Sequence, residues 1–308
     1  MNMKIKASVQ KLNKKVLFAV FAVVGIALTA VRFYQMFSLT DPATGFFTDR
    51  GNITVMLYYI LWGVTFLGAM LLFFLSADCA TGACGKQKNL PHACTSLLFA
   101  AAAVFDTTAK LKELMNSAGA VGLMNYVKAE KQYIALIGIV FGFLTTAVLM
   151  ADAAAFFSGS GFFKQLKLCH LFPVLWLFCI TVNYFSVTVS YLNVTQLMLM
   201  IFADGFLMVF LFEYGRFLCD INADEAPWML FASGTIAEIF LCAEALPNLV
   251  LTLAGKTEML VQYCPLRWYE LAGALFIASA LFLAAGNKNH VAIHLEPVGA
   301  SGENEAEE

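Results

Sequence analysis

Eight stretches of this chain come near twenty residues in length with almost no charge, beginning with VLFAVFAVVGIALTAVRFYQMF from Val16 to Phe37. The others run from Ile53 to Ser76, Ala93 to Ala109, Tyr133 to Phe157, Leu171 to Leu192, Val194 to Phe212, Trp228 to Leu253 and Trp268 to Ala285. A helix needs about 20 apolar residues to cross a hydrocarbon core of about 30 Å, and inside that core every backbone polar group must be satisfied within the protein. Segments of this length and polarity predict an all-α, polytopic transmembrane bundle of eight spans. Composition agrees, since 60% of the residues are hydrophobic and 13% charged, against roughly a quarter charged in soluble domains. The first run is too long for the apolar core of a signal peptide and lacks a small-x-small exit, so it reads as a retained span.

Charge is segregated to the ends. Lys4, Lys6, Lys11, Lys14 and Lys15 crowd the first fifteen residues, and four glutamates fall in the last six. Positive charge favours the cytoplasm, so the basic N-terminus (1–15) is expected inside and eight spans (16–286) return the C-terminus there. The acidic tail (287–308) has no apolar period and is expected to be disordered. With eight spans, eleven of the nineteen Lys and Arg are cytoplasmic; without the alanine-rich third run the count becomes thirteen. An internal match favours eight. SAGAVGLMNYVKAEKQYIA from Ser117 aligns without gaps on LAGKTEMLVQYCPLRWYEL from Leu253, with Ala118, Gly119 and Tyr133 on Ala254, Gly255 and Tyr269, and NIT at Asn52 opens the second run as NVT at Asn193 opens the sixth. Two parallel four-helix halves would account for this, a plan some transporters use.

Ionisable residues at membrane depth cost several kcal/mol and need a partner or a water-filled cavity. Arg32, Asp106, Glu244 and Glu270 fall in the outer half, Asp204 and Glu238 near the middle, Asp152 and Glu213 toward the inner surface, and Arg32 is the only cation expected among them. Within AEALPNL, Pro247 leaves the Ala243 carbonyl without its helical donor, while Glu244 and Asn248 share a face four residues apart. A carboxylate, an amide and a freed carbonyl at one level suit a cation, a proton or a substrate amine. Alternatively, Pro247 only bends the helix and Glu244 pairs with Arg32 or with a hydroxyl such as Thr107. Candidate substrate or ion ligands are therefore Glu244, Asn248, Asp106, Arg32, Glu238 and Asp204. Small neighbours around Asp204 and Asp152 also suit structural pairing between helices, as do Asn183, Gln35 and Gln196.

Other motifs fail on their own spacing. CATGACGKQK, from Cys79 to Lys88, has Ala80 and Gln87 where a phosphate loop needs glycine and Ser or Thr. Cys79, Cys84, His92 and Cys94 match no common zinc finger, and the eight scattered cysteines form no disulfide framework. Neither HExxH nor GxSxG occurs. No catalytic residue, metal, cofactor or nucleic-acid partner is expected; membrane lipids, and a small solute or proton, are.

After the first span, Asp41-Pro42-Ala43-Thr44-Gly45 has turn chemistry at nearly every position, so the loop is expected to be ordered and to fold Phe46 and Phe47 back onto helix ends or headgroups. The stretch RFYQMFSLTDPATGFF resembles a group of multi-pass membrane proteins of Firmicutes-type bacteria that has no assigned function. That resemblance implies a bacterial cytoplasmic membrane and carries over no site residue. The leading expectation is a carrier or permease-like protein for a small solute, and the rival is a non-transporting scaffold or sensor acting through helix partners.

Overall fold

The computed structural model describes residues 14–41, 47–49, 51–75, 88–161, 167–186, 194–221, 226–259 and 266–286. Among them are nine α-helices: α1 Lys14–Ser38, α2 Ile53–Leu75, α3 Leu90–Ala118, α4 Leu123–Ala129, α5 Tyr133–Ser158, α6 Phe172–Ser186, α7 Val194–Leu218, α8 Ala226–Leu253 and α9 Trp268–Gly286. Each of the eight apolar runs is one of the long helices, and the described residues contain no β-strand. Four helical stretches, Val20–Ser38, Leu90–Val121, Tyr133–Ser158 and Met229–Leu253, are long and apolar enough to cross a membrane. The perimeter fits such an environment, because large apolar side chains such as Val23, Ile26, Leu67 and Phe282 stand out from the bundle.

The alanine-rich third run becomes one of the four. Alanine has the highest helix propensity, and here Ala93, Ala100, Ala102 and Ala103 are buried, so small side chains bring α3 close to its neighbours. Gly142 on α5 completes that contact: a Cβ there would stand 3.0 Å from the Trp176 indole nitrogen and clash with the Thr107 hydroxyl. Asn89 caps α3 by accepting from the His92 amide at 3.0 Å, with proline in the first turn. The helix runs past Ala109 to Ala118, and the short α4 folds back over its end, where Leu114, Val127 and Ile139 form a small cluster.

Helix α8 lies at the centre of the packing, touching α1, α2, α7 and α9, while α9 also packs on α3, α3 on α5, α5 on α6 and α6 on α7. The α1–α2 pair thus joins the rest through α8, and the α3–α5 pair joins through α9 and α6. Gly119 and Gly255, matched in the internal alignment, both have positive φ (+47° and +69°) just beyond the long helices α3 and α8. Glycine is the residue that ends a helix in this conformation without a Cβ penalty. The matched glycines thus occupy equivalent places, each just past the end of a long helix. Asn52 accepts from the amide and hydroxyl of Thr54 and so caps α2; Asn193 lies outside the described residues.

The loop after α1 doubles back as expected where it is described. Thr40 and Phe47 form an antiparallel bridge, and the Thr48 amide donates to the Leu39 carbonyl at 2.7 Å. Phe47 is half-buried. Pro42 to Phe46 lie outside the described residues, as do the basic N-terminus through Asn13 and the acidic tail from Asn287.

Candidate functional site

The long helices gather buried charge at the end of the bundle where α9 begins. Arg267, one residue before α9, is 8% exposed. Its guanidinium donates to Asp204 of α7 at 2.9 Å and to the Tyr184 hydroxyl of α6 at 2.6 Å, and it pairs with Glu270 one turn along α9. The Tyr269 hydroxyl donates to Asp204 at 3.0 Å, and the rings of Tyr184 and Tyr269 lie 5.3 and 5.0 Å from the guanidinium carbon. One side chain thus holds three helices together. Arg267, outside the apolar runs, is thus a second buried arginine beside Arg32, and two carboxylates supply the charge its burial requires.

A second cluster sits on the α1–α2–α8 side. Arg32 approaches Glu244 at 3.6 Å, and Glu244 accepts from the Tyr58 hydroxyl at 2.9 Å. All three are buried, with the guanidinium 5.7 Å from the Tyr58 ring centre. Of the two partners considered for Glu244, the structure brings in Arg32. The Thr107 hydroxyl is buried with no hydrogen-bond partner among the described residues. Asn248 is buried one turn along α8 from Glu244, with Pro247 between them inside the helix.

The remaining candidates diverge. Asp106 of α3 accepts from the Tyr269 backbone amide at 2.8 Å, so it caps α9 from another helix and neutralises one of the amides left open at a helix start. Asp204 belongs to the Arg267 cluster. Glu238 joins neither: it is half-buried on α8 and opens into a groove between α3, α8 and α9. Gln35 donates to the Thr54 carbonyl at 3.0 Å, tying α1 to α2. Asp152 lies 3.7 Å from His170, and Glu213 pairs with Arg216 at 2.9 Å on its own helix. His92 has both ring nitrogens engaged at 2.8 Å, by Ser279 and Tyr214, and packs on Phe276 and Phe156; Cys79 and Cys84 lie outside the described residues.

Arg267, Glu270 and the two tyrosines are not among the residues singled out from sequence as ligands. Two signals pointed to them. Asp204 at mid-depth required a cation, and RWYE places Arg267 and Glu270 three residues apart, on one helical face. Chemically the Arg267 cluster sets two carboxylates against one guanidinium, which leaves capacity for a proton or a small cation. No protein-family model matches this chain, and neither a curated protein nor a solved structure does.

Proposed function

We propose that the protein is a multi-pass protein of a bacterial cytoplasmic membrane, crossing eight times with both termini inside, and that it acts as a carrier for a small solute. The single observation that carries the reading is the sharing of Arg267 by Asp204 and Glu270 inside the bundle. Buried ionisable groups in membrane helices mark ion and proton pathways more often than they stabilise. A site with two acids and one fixed cation can take up a proton or a cationic group and release it when a helix moves. Glu244 lies on α8 three residues before Pro247, which withholds a backbone donor from Ala243. That helix is where a solute-linked change in backbone has the least hydrogen bonding to break.

The test is reconstitution of the purified protein in liposomes, with charge movement recorded while a panel of small amines, amino acids, sugars and inorganic cations is applied. At least one class is expected to give a protein-dependent current, and Glu244→Gln, still inserted, is expected to abolish it. A full current in that variant would remove Glu244 from the mechanism, and silence across the panel would count against a carrier. A second reading, a scaffold or sensor working through partner helices, is favoured by one observation: Glu244 and Asp106 are engaged by different partners on different helices. Under that reading every liposome is silent.

A further inference from the structure

The groove that Glu238 enters has a volume of about 600 Å³, inside the range of sites that take drug-sized ligands. Its walls are apolar side chains such as Leu98, Ala101 and Phe105 of α3 and Leu275 of α9, with Cys242 one turn along α8 from the carboxylate. Trp268 and Phe105 meet edge to face at one end, ring centres 6.2 Å apart, and both are largely exposed. Glu238 lies twelve residues, about 18 Å, into α8. No other described residue forms a hydrogen bond or ion pair with it. We infer that this groove is a binding site for a hydrophobic organic cation entering from the lipid side, with Glu238 as its counter-ion.

Charge decides among the possible occupants. An acyl chain would fill the apolar walls and leave the carboxylate unmatched at a depth where that is costly. A second copy of this chain would have to present a cation at the same depth, yet the one Lys or Arg within the eight apolar runs, Arg32, is buried in its own bundle against Glu244. A lipophilic cation supplies apolar surface and positive charge together, and the exposed Trp268 and Phe105 faces at the mouth offer cation–π contacts on the way in. The groove lining includes none of Arg267, Asp204, Glu270, Tyr184 and Tyr269. The site does not rest on the carrier reading, because occupancy is measured at equilibrium without flux.

The decisive experiment is equilibrium dialysis of the full chain in lipid nanodiscs against labelled tetraphenylphosphonium, with tetraphenylborate as a probe of equal shape and opposite charge. Saturable binding of the cation alone is expected, weakened at least about tenfold by Glu238→Gln. Ala101→Phe, which fills an exposed part of the groove and keeps the carboxylate, is expected to weaken it as much. In parallel, dicyclohexylcarbodiimide should modify Glu238 in the wild type, read by mass spectrometry, and tetraphenylphosphonium should protect it. Unchanged affinity in Glu238→Gln, saturable borate binding of similar strength, or no cation binding to the wild type would each overturn the proposal. So would a carbodiimide-resistant Glu238 in a wild type that runs as a dimer, since the groove would then be covered by a second copy.

Discussion

Two buried arginines hold this bundle together in different ways. Arg267 is gripped on several sides, with hydrogen bonds of 2.9 Å to Asp204 and 2.6 Å to Tyr184, Glu270 alongside, and two tyrosine rings flanking it. Arg32 faces Glu244 at 3.6 Å, beyond hydrogen-bond length, and that carboxylate takes a closer donor from Tyr58. A guanidinium whose two terminal nitrogens are each taken by a different acid has little freedom to move. A guanidinium 3.6 Å from a carboxylate that a second donor already engages is less tightly fixed on that carboxylate. The contrast separates a frame, formed by α6, α7 and α9 around Arg267, from a joint between α1, α2 and α8 around Arg32.

The largest expected effect tests the frame. Arg267→Ala leaves Asp204 and Glu270 buried opposite one another with no cation, and breaking such a pair from one side costs about 3–5 kcal/mol. Thermal unfolding in detergent should register a loss of that size, and Arg267→Lys should recover little of it, since an ammonium cannot reproduce the fork. Arg32→Ala should cost less, about 1–3 kcal/mol, because Glu244 keeps the Tyr58 hydroxyl. Equal losses in the two alanine variants would erase the distinction between frame and joint. Asp106→Ala comes next. It removes the side chain that caps α9 from α3, and loss of a cap costs about 1 kcal/mol. Its effect should be non-additive with Arg267→Ala, because both act on the start of α9; strictly additive losses would place Asp106 outside the frame.

How much of this is legible in the sequence follows from where each constraint originates. The eight long helices are readable because lipid imposes a length and a polarity on each segment separately. Their ends are less so: α3 continues through Lys110, Lys112 and Glu113 to Ala118, where polar residues carry a helix beyond the apolar run and nothing in span length marks its stop. Gly119 does mark it, as Gly255 does for α8. Partnership between charges is the part that local pattern does not contain. Arg267 sits at the edge of the last run, where it counts as a loop cation, and only the meeting of α7 with α9 shows that Asp204 claims it. The Arg32–Glu244 pair was easier to anticipate, since few buried groups of opposite sign lie at that level. His92 shows the converse, a residue that suggests a metal ligand by its neighbours in sequence and whose nitrogens are taken by Ser279 and Tyr214 from distant helices.

The smallest effect in stability bears most directly on the joint. Pro247 lies inside α8 three residues beyond Glu244, and its ring removes the amide that would otherwise donate to the Ala243 carbonyl. In an isolated helix, alanine in place of proline gains about 3 kcal/mol, but here the neighbours of α8 are already packed against the existing backbone path. Restoring the donor sets a straighter helix against that packing, so Pro247→Ala should change unfolding stability by less than about 1 kcal/mol in either direction. Hydrogen exchange is the sharper measure. If the missing bond is what lets the Glu244 turn move, amides between Ala243 and Leu251 should exchange more slowly in the variant, while those around Arg267 should not change. Unaltered exchange across that turn would mean the looseness at Arg32 has another origin, and α8 would then belong to the same rigid frame as α9.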